Sequence, residues 1–333
     1  MKNVFRGLGL AAVMAVAGVA NAADFKPAVV YDLGGKFDKS FNEGVYEGVK
    51  RFTEETGVEV MEFEVTNEAQ RQQAMERMVS RGATILLGVG FAQADAIDAV
   101  AKENPEKQFS IIDVFWLDQP NLRQYSFKEH EGSYLVGVAA AMASETGTVG
   151  FVGGMDIPLI RKFACGYVQG AKATKPDITV LENMTGTTPS AWNDPVKGGE
   201  LTQGQIDRGA DVVYHAAGGT GMGVIRAAAD AGKLSIGVDS NQNYLAPGKV
   251  LTSMVKRVDI AAYQTFMDAY NGKFTPGVQS LGLAEGGVDW AVDDNNKDLV
   301  DGAITDAVNK AREDIIAGTV TVHNYEDDSN CPF

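Results

Sequence analysis

The chain has 333 residues, with 44 Asp and Glu against 29 Lys and Arg, for a net charge of −15 at pH 7. The length points to two domains, and the acidity argues against nucleic acid or an anionic membrane as partner. Three histidines, His130, His215 and His323, have no metal-ligand spacing with one another, and no phosphate-binding loop, nucleophile elbow or paired-cysteine motif is present.

Residues 1–22 read as a secretory signal peptide. Lys2 and Arg6 form a positive start, Leu8 to Ala20 an apolar stretch, and Ala20-Asn21-Ala22 a small-residue cleavage site. The apolar stretch falls short of the roughly 20 residues that span a bilayer. No cysteine lies near the cleavage point, so the expected product is soluble, free of a lipid anchor and exported to a bacterial periplasm.

Ala28-Val29-Val30-Tyr31 follows as a buried parallel strand. Phe41, Val45, Val49 and Phe52 mark one face of the next helix. Ser40, three residues before Glu43, predicts a capping box at its start. Asp32 then stands at the carboxyl end of the first strand, with Phe37 and Asp38 in a glycine-loosened loop above it. Ligands bind at that edge in open α/β sheets. An acidic, aromatic loop there suits a neutral or cationic molecule with a flat ring and hydroxyls, and suits a phosphate poorly.

Strands are predicted at 28–32, 58–65, 84–89, 109–113 and 122–127, with helices near 41–56, 67–81 and 91–104. A second series places strands near 147–152, 178–183, 211–215 and 234–238, with helices near 131–145, 157–174, 196–208 and 220–231. A strand from Val250 to Val255, a helix from Asp259 to Tyr270, a strand from Gln279 to Leu283 and a helix over 297–316 complete the chain. Such βαβ alternation predicts an α/β protein of two Rossmann-like lobes, parallel sheets wrapped by helices. Elements that follow a completed second lobe cross back, giving a hinge of several segments. The expected division is 23–127 plus about 255–285 in the N-terminal lobe, 128–254 plus about 286–320 in the C-terminal lobe, and a tail at 321–333.

Each series ends an apolar strand in an aspartate, Ile111-Ile112-Asp113 and Gly237-Val238-Asp239. Carboxylates at strand ends accept hydrogen bonds from hydroxyls and ring N–H groups, and each such charged bond contributes about 1.5–3 kcal/mol. Lys256 either offsets this negative charge and donates to a ligand, or is a solvated lysine at a helix start, where a cation gains nothing from the dipole. Phe37 and Phe163 could close on opposite faces of a ring; Phe163 reads equally as core. The loop Ala217-Gly-Gly-Thr-Gly-Met-Gly223 either offers backbone N–H groups to a ligand or is a tight turn. His130 beside Glu131 is a helix-start residue rather than a metal site. Cys165 and Cys331 either pair or remain free thiols.

Asp32-Leu-Gly-Gly-Lys-Phe-Asp-Lys-Ser-Phe-Asn-Glu-Gly44 and Phe127-Lys-Glu-His-Glu-Gly-Ser-Tyr-Leu-Val-Gly137 resemble the basic membrane protein family, the purine-nucleoside-receptor-like substrate-binding proteins of ABC transporters. Val149-Gly-Phe-Val-Gly-Gly154, Phe163-x-x-Gly-Tyr-x-x-Gly170, Gly237-Val-Asp-Ser240 and Thr252-Ser-Met-Val-Lys256 extend the resemblance over the mature chain. It implies a type I periplasmic binding protein fold whose cleft holds a purine nucleoside between aromatic rings, with no catalytic residues, metal or cofactor. The ligand passes to permease subunits, and the chain is expected to be a monomer. By motif, Phe37 and Phe163 resemble the stacking pair, Asp32, Asp38, Asn42 and Asp113 surround the base, Asp239 and Lys256 hold ribose hydroxyls, and Gly218 offers backbone contact.

The chain departs from the family pattern in three places. It lacks the lipid-anchoring cysteine of many relatives. Ile112 to Trp116 carries more aromatic bulk, and Trp192, in the loop Thr185–Asp194, is placed to reach the cleft. Either aromatic feature would alter the preferred base or select a ligand that is not a nucleoside. Two other readings stand beside this one. One is an exported nucleoside-processing enzyme whose clustered aspartates bind calcium; the other is a binding protein that reports to a receptor instead of a permease.

Overall fold

The computed structural model describes residues 25–333, so the expected signal peptide at 1–22 lies outside the described residues. The first series contains β1 (Pro27–Tyr31), α1 (Phe41–Thr56), β2 (Met61–Glu64), α2 (Gln70–Ser80), β3 (Ile85–Gly88), α3 (Ala94–Glu103), β4 (Gln108–Ile112) and β5 (Leu122–Phe127). The second contains α4 (Glu129–Ala143), β6 (Thr148–Met155), α5 (Pro158–Thr174), β7 (Thr179–Gly186), α6 (Pro195–Ile206), β8 (Val212–Ala216), α7 (Gly221–Asp230), β9 (Leu234–Asp239) and β10 (Val250–Lys256). The remainder is α8 (Val258–Tyr270), β11 (Gly277–Leu281), β12 (Val288–Trp290) and α9 (Gly302–Ile316).

Two six-stranded sheets result, ordered β2-β1-β3-β4-β5-β11 and β7-β6-β8-β9-β10-β12. Among the described residues every pairing is parallel except that of β12 with β10. Parallel strands covered by helices on both faces read as continuous apolar runs, and β1 and β8 are buried along their whole length. The edge strand β2 instead alternates, with Glu62 and Glu64 exposed. Strand β12 was not foreseen, because three residues are too few to show a two-residue period. The last helix begins at Gly302 rather than near 297, where the Asp301 carboxylate accepts from the Ile304 N–H at 2.9 Å.

Each sheet receives its sixth strand after the chain has crossed over. The crossing segments lie after β5, between β10 and α8, and between β11 and β12. They bond to one another: the Lys128 N–H donates to the Leu281 carbonyl at 2.9 Å, and that of Arg257 to Gly287 at 2.8 Å. The Glu131 carboxylate accepts from the Leu283 N–H at 2.8 Å.

Helices α4 and α5 pack at backbone contact. A Cβ on Gly166 would stand 2.4 Å from the His130 carbonyl oxygen, and one on Gly170 would stand 2.0 Å from that of Tyr134. This approach brings the first turn of α4 against the middle of α5. Cys165 of α5 pairs with Cys331, so the free-thiol alternative does not hold. Sequence separation of 166 positions kept that pairing out of reach of local reading.

Candidate ligand-binding site

A cleft of about 620 Å³, counting the solvent at its mouth, is lined by the carboxyl ends of both sheets. Asp32 follows β1, Gly90 follows β3 and Asp113 follows β4. From the second sheet come Ala217 and Gly218 after β8, Asp239 at the end of β9, and Lys256 at the end of β10. The two strands β4 and β9 hold equivalent places in their sheets. An aspartate of left-handed backbone follows β4 and ends β9, φ +67° at Asp113 and +63° at Asp239. Such a conformation is uncommon outside glycine, and strain of this kind gathers at functional sites.

The cleft brings together Asp32, Asp38, Asn42, Asp113, Phe163, Gly218, Asp239 and Lys256. It leaves out Phe37. That side chain is 60% exposed, with its ring edge-on to Tyr46 at 5.2 Å between centroids and the Lys36 ammonium 5.1 Å from it. The loop before α1 turns Phe37 onto the outer face of the helix, and Phe41 at the helix start takes the inner position. Phe41 and Phe91 face the cleft from one lobe, and Phe163 and Trp192 from the other. Phe163 is 3% exposed and also belongs to the hydrophobic core, so both readings of it hold geometrically. Phe115 and Trp116 pack on each other at the surface and do not line the cleft. The signal for Phe91 was present, since it lies just past the carboxyl end of an apolar strand. Phe41 had been absorbed into the helix periodicity.

The expected capping box is not formed. The Asp38 carboxylate accepts from the backbone N–H groups of Ser40, Asn42 and Glu43 at 2.8, 3.0 and 3.1 Å. An ionised carboxylate is a stronger acceptor than a hydroxyl, so Asp38 displaces Ser40 from the cap. Glu43 reaches back to the Lys39 N–H instead, at 3.0 Å. The freed Ser40 hydroxyl crosses to the other lobe and lies 2.5 Å from Asp239 Oδ2. Nearby, Ser240 Oγ donates to the Ser40 carbonyl at 3.1 Å and Gln242 Nε2 to that of Lys39 at 2.9 Å. Burial pushes the Asp239 carboxyl up to about 7, against the pull of Lys256 and the Ser40 hydrogen bond.

Lys256 is not a solvated lysine. Its side chain is 2% exposed, and its ammonium lies 2.7 Å from Asp113 Oδ1 and 2.9 Å from Glu129 Oε1. It also stands 5.1 Å from the rings of Phe41 and Phe127 and 5.7 Å from that of Phe163, within cation–π range. Burial favours its neutral form, but the carboxylates of Asp113 and Glu129 outweigh burial and keep it charged. Glu129 lies between two ammonium groups, Lys256 and Lys162, the latter at 2.7 Å. Burial alone would raise its pKa; the two lysines hold it at about 2. Neither Glu129 nor Lys162 was singled out from the sequence, although a buried acid and lysine on apolar helix faces are unusual.

Asp32 is paired with Arg71 of α2, whose Nε and Nη2 both approach Oδ1, at 3.2 and 3.1 Å. Burial nevertheless raises the Asp32 carboxyl, because it outweighs the guanidinium. The glycine loop divides between its two readings. A Cβ on Gly221 would meet the His215 ring and one on Gly223 the Pro195 carbonyl, both within about 2 Å, so these two are packing requirements. Gly218, at φ +55°, lies on the cleft side against Trp192. Each of the four aspartates therefore has its own partner, and the four do not converge on one point. The cleft offers flat apolar walls with carboxylates and one ammonium at its polar positions, a set that accepts from and donates to hydroxyls and ring nitrogens.

The family described as ABC transporter substrate-binding protein PnrA-like matches residues 25–326. The ABC transporter nucleoside-binding protein BmpA of Lactococcus lactis subsp. cremoris (strain MG1363) is 36% identical over 321 residues, covering 90% of this chain and 89% of that protein. A protein of Pyrococcus furiosus named as a lipoprotein is 35% identical, covering 80% of this chain and 70% of the other. The crystal structure of an ABC transporter solute-binding protein from Aeropyrum pernix K1 superposes with a TM-score of 0.83 at 26% identity, covering 92% and 95% of the two chains. With its two-lobed type I periplasmic binding fold, the chain belongs to the PnrA-like family of ABC transporter substrate-binding proteins.

Proposed function

We propose that this protein binds a purine nucleoside between its lobes, outside the cytoplasmic membrane, and delivers it to the permease of an ABC importer. The observation that carries the reading is the pairing of aromatic walls from opposite lobes, Phe41 and Phe91 against Phe163 and Trp192, with Asp113, Asp239 and Lys256 beside them. The base lies between the rings, with Asp32, Asn42 and Asp113 near it. Asp239 and Lys256 take the ribose hydroxyls, and Gly218 contributes backbone. Four aspartates against one lysine disfavour a phosphate, so nucleosides are preferred to nucleotides. Ligand that touches both lobes stabilises the closed arrangement, because only differential affinity shifts that equilibrium. The name of the Lactococcus relative, a nucleoside-binding protein, supports the ligand class.

Export through the signal peptide at 1–22, and release without a lipid anchor, belong to the same reading. Both cysteines of the sequence lie in the disulfide, far from the cleavage point. The Pyrococcus relative is named a lipoprotein, so the intact mass of the mature protein is the check on anchorage. The aspartates, each with its own partner, support binding over catalysis, and a nucleoside recovered unchanged after long incubation is the expected result.

Calorimetric titration of mature protein, stripped of ligand by unfolding and refolding, tests the reading. The titrants are guanosine, adenosine, inosine, uridine and the free purine bases. One-to-one, submicromolar binding of a purine nucleoside is expected. No binding across the panel by folded protein would discard the nucleoside.

A further inference from the structure

The ion pairs of the cleft do not stop at Glu129. Asp113, Lys256, Glu129, Lys162 and Glu326 form one line of alternating charge, with successive contacts of 2.7, 2.9, 2.7 and 2.6 Å. No side chain in it is more than 18% exposed, and Glu129 is fully buried. The line starts at the ligand cleft, passes the hinge, where Lys162 Nζ also donates to the Phe127 carbonyl at 3.1 Å, and ends on the C-terminal tail. That tail is fastened to α5 twice. Cys331 is bonded to Cys165, and the Gln169 amide donates to the His323 carbonyl at 2.9 Å and accepts from its N–H at 2.8 Å.

We infer that Glu326 and Lys162 are positioning residues for the ligand site, holding Lys256 in place through Glu129, and that the disulfide-bonded tail is thereby a working part of the cleft. The inference rests on the nucleoside reading above. Its physical basis is the accounting of buried charge: each ion in a dry chain is tolerated only while its neighbours compensate it. Glu129 is shared between two ammonium groups. With Glu326 present, Lys162 has a second carboxylate and Glu129 is left to Lys256. Without Glu326, Lys162 draws Glu129 toward itself and Lys256 falls back on Asp113. Both the lysine and the aspartate are then moved from the positions they hold in the cleft, while neither has been altered.

The test uses the full mature chain, with Glu326→Gln as the main variant and Cys331→Ser as a second that keeps every charge but removes the covalent one of the tail's two fastenings. Inosine and guanosine are titrated by calorimetry, and the Lys256 side-chain resonance is followed in ¹³C-lysine-labelled protein, assigned by its loss in Lys256→Met. Both variants are expected to weaken nucleoside binding about fivefold and to shift the Lys256 resonance without ligand. Folded variants with unchanged affinity and an unchanged Lys256 resonance overturn the inference, and a lowered melting temperature alone marks the tail as merely structural. If the unaltered protein binds neither nucleoside, the ligand reading fails, and the resonance shift still decides whether the tail positions Lys256. If Glu326→Gln does not fold, Cys331→Ser decides by the same two readouts.

Discussion

The Ser40 hydroxyl lies 2.5 Å from Asp239 Oδ2, and this buried contact joins residues 199 positions apart on opposite lobes. Burial raises the Asp239 carboxyl to about 7, against roughly 3.9 in an unfolded chain. The folded protein therefore holds the proton more tightly than the unfolded one. This group favours folding at acid pH, and its contribution is lost as pH rises from about 4 through 7. Asp239→Asn carries no titrating group. The stability of the unaltered protein relative to this variant should fall across that window, by at most roughly 1.4 kcal/mol per pH unit. Urea unfolding of both proteins at several pH values is the measurement; parallel curves would show that Asp239 titrates normally.

Asp239→Ala removes a carboxylate at a cleft edge. Nucleoside affinity should drop at least about tenfold, the size of one charged hydrogen bond, with a native circular dichroism spectrum. Unchanged affinity would remove Asp239 from the site.

Lys256→Met leaves Asp113 and Glu129 buried with one cation fewer. Breaking a buried pair from one side costs about 3–5 kcal/mol, which should appear as a lower urea midpoint. Adding Asp113→Asn removes one of the stranded charges and should recover part of the loss. A double variant no more stable than Lys256→Met would show that the pair carries little of the local energetics.

Phe163→Ala and Phe37→Ala separate the two phenylalanines that the sequence placed together. Phe163 is 3% exposed, and its truncation should cost about 3–5 kcal/mol and weaken nucleoside binding. Phe37 is 60% exposed, and its truncation should stay within about 0.5 kcal/mol and leave binding unchanged. Loss of stability in Phe163→Ala without a binding defect would assign that ring to the core alone.

Gly170→Ala and Gly204→Ala should have opposite signs. A Cβ at 170 would overlap the Tyr134 carbonyl across the α4–α5 contact, whereas one at 204 in α6 meets nothing within 4 Å. Overpacking at 170 should cost about 1–3 kcal/mol, and relief of glycine's helix penalty at 204 should stabilise by up to about 1 kcal/mol. Thermal melts of the two variants give the comparison directly.

Most of the elements were legible because their signals are local. The continuous apolar run of β1, the spacing of Phe41, Val45, Val49 and Phe52 in α1, and the aspartates that close β4 and β9 all lie within a few residues of one another. Strand order then places any residue just past a carboxyl end at the same edge, which is why Asp32, Asp113 and Asp239 could be gathered before their neighbours were known. β12 escaped because a strand of three residues has no period to read.

Partners were not legible, because they are set by how distant elements meet. Asp38 and Ser40 are both good caps; the carboxylate takes the helix as the stronger acceptor, and only the fold shows that Asp239 across the cleft receives the freed hydroxyl. Nothing near Asp32 announces Arg71, and nothing near Lys256 announces Glu129. Whether Phe37 or Phe41 faces the cleft depends on where the loop lets helix α1 begin. The sequence by itself determined two parallel lobes and the kinds of groups at their edges, since periodicity and strand ends are properties of neighbouring residues. The tertiary structure decided which charge meets which and which ring faces inward, since burial and Coulomb attraction act between side chains that the fold, not the chain, makes adjacent.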